Sequence, residues 1–177
     1  YTRGAGDAGK ADTQALELAA LVTSQAIQKN PKYAAIHNTA GLIEVELDNL
    51  SSAVQAFDRA RRLDPSFFEA QMNYAAVNLK FRGFQQAEEA YRQALKIRPN
   101  DYDAHLGLAL ALRGQIELGS PNFQQMIAAA DAQIQKAKAI DQNRPEAWFN
   151  EAILTQEFKA KAGGKEAESG LLKAKEL

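Results

Sequence analysis

Residues Phe68–Asp101 read FEAQMNYAAVNLKFRGFQQAEEAYRQALKIRPND. The stretch divides into two short helices, with a turn at Arg82-Gly83 and a stop at Pro99, because glycine and proline interrupt an apolar pattern of helical period. Moved back 34 residues, it falls on Ala34–Phe67, and Ala87, Tyr91, Ala94 and Pro99 then lie over Ala53, Phe57, Ala60 and Pro65. Small residues on either side of a ring, on one helix face, are a packing instruction. The alanines let a second helix approach closely, and the ring fills the space between the two. One such hairpin cannot bury its apolar face alone, so neighbours must stack on it.

The same marks recur upstream, where Ala19, Ala26 and Pro31 stand 34 residues before Ala53, Ala60 and Pro65. Small and aromatic slots in register, closed by a proline, resemble the tetratricopeptide repeat. The resemblance covers nearly the whole chain. It implies an all-α fold, an α-solenoid of antiparallel helix pairs wound as a right-handed superhelix, and it implies binding of a protein or peptide rather than catalysis.

Along the chain, residues 1–12 are rich in Gly and Ala without apolar period and read as a flexible lead-in or frayed half-helix. A single domain is expected over 13–177. It comprises a half-repeat at 13–33, units at 34–67 and 68–101, a longer unit at 102–144 and a last unit at 145–177. Leu16, Ala19, Ala20, Thr23, Ala26 and Ile27 carry the helical spacing of the half-repeat. In the next unit Gly41 is the close-contact position, Asp48-Asn49 makes the turn, and Ser51 is the expected cap of the second helix. The 102–144 unit has 43 residues, nine more than the period, and Ala130, Ile134 and Ala137 fill its packing slots. The extra residues fall around 114–122, where Ser120-Pro121 reads as an N-cap followed by proline at the first helical position. Longer helices and a protruding turn are therefore expected. In the last unit Trp148 holds the large slot, Ala162-Gly163-Gly164 breaks the helix, and Ala167, Leu171 and Ala174 restore the small-large-small pattern.

Composition narrows the chemistry. The chain is 46% hydrophobic with a formal net charge of −1, which gives no global attraction to nucleic acid or anionic lipid. No apolar run approaches the ~18 residues of a membrane span. Cysteine is absent, which removes disulfides, thiolate catalysis and thiolate metal sites. The two histidines, His37 and His105, are 68 residues apart and share the slot of Trp148. At roughly 10 Å per repeat they stand about 20 Å apart and cannot share a metal. They read as polar-tipped rings in a packing position. Gly163-Gly164-Lys165 lacks the rest of a phosphate loop. Paired carboxylates such as Glu44 and Glu46, or Glu88 and Glu89, and the cations Arg59, Arg61 and Arg62, read as solvated helix faces with i,i+4 pairs. No catalytic residue, metal or cofactor is expected.

The resemblance points to the first helix of each pair as the partner-binding face. The residues it places there are Asn38 and Leu42; Met72, Asn73, Ala76 and Lys80; Leu106, Leu110 and Arg113; and Phe149, Asn150 and Ile153. Asparagine offers donors and an acceptor to an extended peptide backbone, and the apolar positions suit a strand or an amphipathic helix. Family members that grip chaperone C-termini use lysine, asparagine and arginine at slots that here hold Asn38, Leu42, Asn73, Asp103 and Gly107. Only Asn73 agrees, and Asp103 would repel a carboxylate, so a carboxylate clamp is not expected. The partner expected is a protein or peptide, with no nucleic acid and no membrane insertion. A second reading makes the chain an assembly module that works through the open ends of the stack, with self-association, or through the 114–122 turn. The Ala- and Gln-rich repeats look like those of bacterial periplasmic or outer-membrane-attached assembly and motility proteins. That analogy sets the periplasm slightly ahead of the cytoplasm. Tyr1 in place of Met reads as a processed chain or a piece of a longer one.

Overall fold

A computed structural model describes residues 5–159, with side chains from Thr13 to Phe158. The described elements are eight α-helices and one π-helical turn, with no strand among the described residues. They are α1 (Ala5–Lys29), α2 (Ala34–Glu46), α3 (Leu50–Leu63), α4 (Phe68–Lys80), α5 (Phe84–Ile97), α6 (Tyr102–Gly114), α7 (Phe123–Ile140), α8 (Pro145–Leu154) and the π turn Thr155–Lys159. The helix expected from Thr13 extends back to Ala5, so part of the stretch read as lead-in is helical. The Ala162-Gly163-Gly164 break and the slots Ala167, Leu171 and Ala174 lie outside the described residues. The chain forms two compact units that divide within α4, between Val77 and Asn78.

In the first unit α2 packs against α1 and α3. The slots Ala53, Phe57 and Ala60 are 0%, 1% and 0% exposed. The Phe57 ring lies on Gly41, where a β-carbon would stand 2.5 Å from the ring edge, so the glycine is what admits the ring. The α2–α3 turn closes as a Schellman motif. The Asn49 N–H donates to the Glu44 carbonyl at 2.8 Å, and the Asp48 N–H donates to the Val45 carbonyl at 3.0 Å. Asp48 takes the left-handed conformation, φ 58°, that such a cap requires. The expected cap Ser51 is corrected: α3 begins at Leu50 with Asn49 at the N-cap, and no side chain caps it. The C-terminal cap of α2 already uses the Asn49 N–H, which leaves no separate capping position at Ser51. Arg61 also departs from a solvated face. It pairs with Asp58 at 2.9 Å with 15% of its side chain exposed and lies 4.2 Å over the Tyr74 ring, so its stem is used in packing.

The second unit repeats these devices. Ala87, Tyr91 and Ala94 on α5 are 0%, 4% and 0% exposed, and Ala130, Ile134 and Ala137 on α7 are 0%, 2% and 0%. The Tyr91 ring covers Gly107 of α6, which leaves no room for a β-carbon there. The turn before α5 is the same Schellman closure. The Gly83 N–H donates to the Asn78 carbonyl at 2.8 Å, the Arg82 N–H donates to the Leu79 carbonyl at 3.0 Å, and Arg82 has φ 60°. The nine extra residues divide between helix and turn. α6 keeps 13 residues, α7 has 18 against 14 in α5, and the turn 115–122 holds eight. Only one helix therefore lengthens. Ser120-Pro121 lies in the turn and not at the helix start. The Ser120 carbonyl accepts from the Phe123 N–H at 3.1 Å, and Asn122 stands at the N-cap.

Candidate functional site

The slot shared by His37, His105 and Trp148 is a tether, and Gln71 is its fourth member. In the first unit His37 Nε2 donates to the Pro31 carbonyl at 2.9 Å and Gln71 Nε2 donates to the Pro65 carbonyl at 3.3 Å. In the second, His105 Nε2 donates to the Pro99 carbonyl at 2.9 Å and Trp148 Nε1 donates to the Gln142 carbonyl at 3.0 Å. Each side chain reaches the residue six positions earlier, so each ties the start of a first helix to the loop before it. His105 is held at both ring nitrogens, since Nδ1 pairs with the side-chain amide of Gln133 at 2.9 Å. Among the described residues no group of histidines and carboxylates could hold a metal ion, and no helix is long and apolar enough to cross a membrane.

In the first unit the candidate residues fall on α2 and α4. Asn73 Nδ2 donates to Asn38 Oδ1 at 3.0 Å, joining the two helices, and Asn38 is buried. Leu42 is 46% exposed, Ala76 is exposed, and Met72 and Asn73 are half-buried. Asn38 thus supports Asn73 from beneath. Asn73 keeps its carbonyl and one N–H for another group.

In the second unit the candidates fall on the end of α4, on α6 and on α8. Phe149 is 50% exposed and Leu106 is buried. Lys80 is exposed, while Leu110, Arg113, Asn150 and Ile153 are half-buried. Leu106 belongs to the core because α6 is packed by α5, α7 and α8. Arg113 donates to Asn150 Oδ1 at 3.2 Å, and Asn150 Nδ2 donates to the Glu146 carbonyl at 2.8 Å. The most exposed apolar side chain among these candidates is Phe149, which precedes the paired Asn150 on α8.

A second polar group lies at the N-termini of α6 and α8. The Tyr102 hydroxyl accepts the Ala147 N–H at 3.0 Å and so caps α8, whose N-cap Arg144 makes no side-chain cap bond. Arg144 pairs with Asp103 at 2.8 Å and with Glu146 at 3.4 Å, and lies 3.8 Å over the Tyr102 ring. The hydrogen bond to Asp103 holds the Arg144 guanidinium in its charged form above its ordinary range. Glu146 is held below its ordinary range by its own backbone N–H, with Arg144 adding to it. Burial pushes the Tyr102 hydroxyl up and the Tyr91 hydroxyl up to about 12.

A tetratricopeptide repeat model matches residues 14–66, 38–81 and 75–145. Human Protein O-mannosyl-transferase TMTC3 is 31% identical over 120 residues, which cover 68% of this chain and 12% of that protein. The Hsp70-Hsp90 organizing protein of Triticum aestivum is 24% identical over 119 residues, 63% of this chain and 20% of that protein. The chain therefore spans a fifth or less of the length of these relatives. Among solved structures, MamA 41-end from Desulfovibrio magneticus RS-1 aligns with a TM-score of 0.77 at 21% identity, over 92% of this chain and 85% of that one. The Arabidopsis OM64 TPR domain aligns with a TM-score of 0.60 at 20% identity, over 70% and 95%. These likenesses establish an all-α fold of the α-solenoid class.

Proposed function

Because the chain belongs to the tetratricopeptide repeat family, we propose that it is a non-catalytic protein-interaction scaffold that seats a partner segment on its first-helix faces. The observation that carries this reading is Phe149. It is half exposed, and the next residue along α8, Asn150, is paired with Arg113; exposed aromatic anchors of this kind dominate binding energy. On the first unit, Leu42 and Ala76 offer an apolar surface next to Asn73. The partner is a peptide segment that places an apolar side chain on Phe149 and a backbone amide near Asn150. A chaperone tail is not the partner favoured. Asp103, in one of the slots where a carboxylate clamp needs a cation, is exposed and already paired with Arg144. On the analogy of its Ala- and Gln-rich repeats, we place the scaffold in a bacterial envelope assembly, which cell fractionation tests directly.

Selection from a random peptide library, followed by titration of the winners, tests the site. Phe149→Ala should weaken a selected peptide about 30-fold or more, the ~2 kcal/mol of a hot spot. Asn150→Ala should weaken it roughly fivefold. Binding unchanged in Phe149→Ala, Asn150→Ala and Asn73→Ala would remove the first-helix faces from the account. A second reading, an assembly module acting through the 115–122 turn, is favoured by Leu118, 61% exposed at its tip. Deleting residues 116–121 should abolish partner capture under that reading and spare it under the first.

A further inference from the structure

A cleft of about 640 Å³ opens on the second-helix side of the second unit. It is lined by Pro99, Asn100, His105, Lys136, Ala139 and Ile140. An adjoining cleft of about 350 Å³ shares Pro99, His105 and Lys136 and adds Lys96. Its floor is rigid, because both ring nitrogens of His105 are engaged. Its charge is positive. Lys96 makes one hydrogen bond, to Gln93 at 3.1 Å, and neither Lys96 nor Lys136 has an ion pair among the described residues, while no carboxylate lines either cleft. Its apolar wall is Ile140, 39% exposed.

At the other end of α7 the 115–122 turn offers the complement. Leu118 is 61% exposed, Glu117 beside it is exposed, and Gly119 has open space around it at φ 85°. The cleft and the turn lie roughly 25 Å apart along the helix, so they cannot meet within one molecule. Between them the outward face of α7 carries Ala128 and Ala132, both exposed. Alanines there let a second helix approach within ~8–10 Å.

We propose that the occupant of the cleft is a second copy of this chain. Two α7 helices pair antiparallel about a two-fold axis near Ala128, and each Glu117-Leu118 tip enters the other's cleft. Leu118 meets Ile140, and Glu117 meets Lys136 and Lys96. The contact closes on itself, so it builds a dimer and not a filament. A nucleic-acid occupant fits less well, since no Phe, Tyr or Trp lines the cleft for bases to stack on. This inference gives the turn of the second reading its partner and leaves the Phe149 face untouched.

Sedimentation equilibrium of the full chain should show a monomer–dimer equilibrium that levels at the dimer and weakens with salt. Lys136→Glu and Glu117→Lys should each weaken association roughly tenfold, the effect of ~1.4 kcal/mol, and the combined swap should restore most of it. The chain has no cysteine, so Ala128→Cys reports the axis. It should cross-link into a dimer on mild oxidation, while Ser52→Cys on exposed α3 should not. Far-UV circular dichroism of each variant separates lost contact from lost fold. A chain monomeric to millimolar concentration overturns the proposal, even if deleting 116–121 abolishes capture of another protein. So does a dimer indifferent to Lys136→Glu, or equal cross-linking at positions 128 and 52.

Discussion

Replacing Gly41 with alanine sets two effects against each other. Inside α2, glycine is the weaker helix former, so alanine should gain about 1 kcal/mol. Against that stands the Phe57 ring. A β-carbon on residue 41 would meet three of its atoms at 2.5, 2.6 and 2.8 Å, well inside normal carbon contact. The ring has nowhere to go, since Phe57 is 1% exposed and its helix neighbours Ala53 and Ala60 are fully buried. Overpacking of this kind costs up to about 3 kcal/mol, so the net effect should be a loss of about 2 kcal/mol. Urea unfolding followed by circular dichroism at 222 nm reads it as a lower midpoint at unchanged slope. Shortening the ring should relieve the clash. Gly41→Ala with Phe57→Leu should then be more stable than the sum of the single changes by at least ~1 kcal/mol. A Gly41→Ala protein as stable as the parent, or strict additivity in the double variant, would refute the packing argument.

Tyr102→Phe removes the acceptor for the Ala147 N–H and should cost about 0.5–2 kcal/mol, the range for losing a helix cap, read by the same urea titration. Arg82→Gly relieves a left-handed φ of 60°. It should stabilise by roughly 0.5–1 kcal/mol, the gain net of glycine's greater freedom when unfolded. The Tyr91 hydroxyl titrates at about 12 in the folded chain and near 10 when unfolded. The neutral form is favoured by folding, so this stabilisation is complete below pH 10 and is lost as pH rises towards 12. Unfolding free energies from urea titrations at pH 8, 10 and 11.5 should therefore fall further for the parent than for Tyr91→Phe, by about 2 kcal/mol at pH 11.5.

The helix pairs were legible because their packing slots repeat: Ala53, Phe57 and Ala60 and their equivalents are buried where a 34-residue register puts them. A short-range steric rule, repeated, leaves a sequence signal. The caps were less legible. Ser51 and Ser120 have the right side chain for an N-cap, yet the Schellman closure at Asn49 and the turn at Pro121 decide where α3 and α7 begin. The tether slot was half visible. His37, His105 and Trp148 align, and the constant six-residue distance to Pro31, Pro99 and Gln142 could have shown what they donate to. Gln71 was hidden because it shares the chemistry of the slot and not its shape. On the candidate face, exposure and pairing depend on neighbouring helices, so sequence spacing alone could not show that Asn38 and Leu106 are buried while Phe149 stands out.

Amide chemical shifts of the labelled chain, followed while a selected peptide is added, test the central claim most directly. The saturable shifts should fall on Leu110, Arg113, Phe149, Asn150 and Ile153 of α6 and α8. Shifts confined to the 115–122 turn or to α7, with those five positions still, would contradict it.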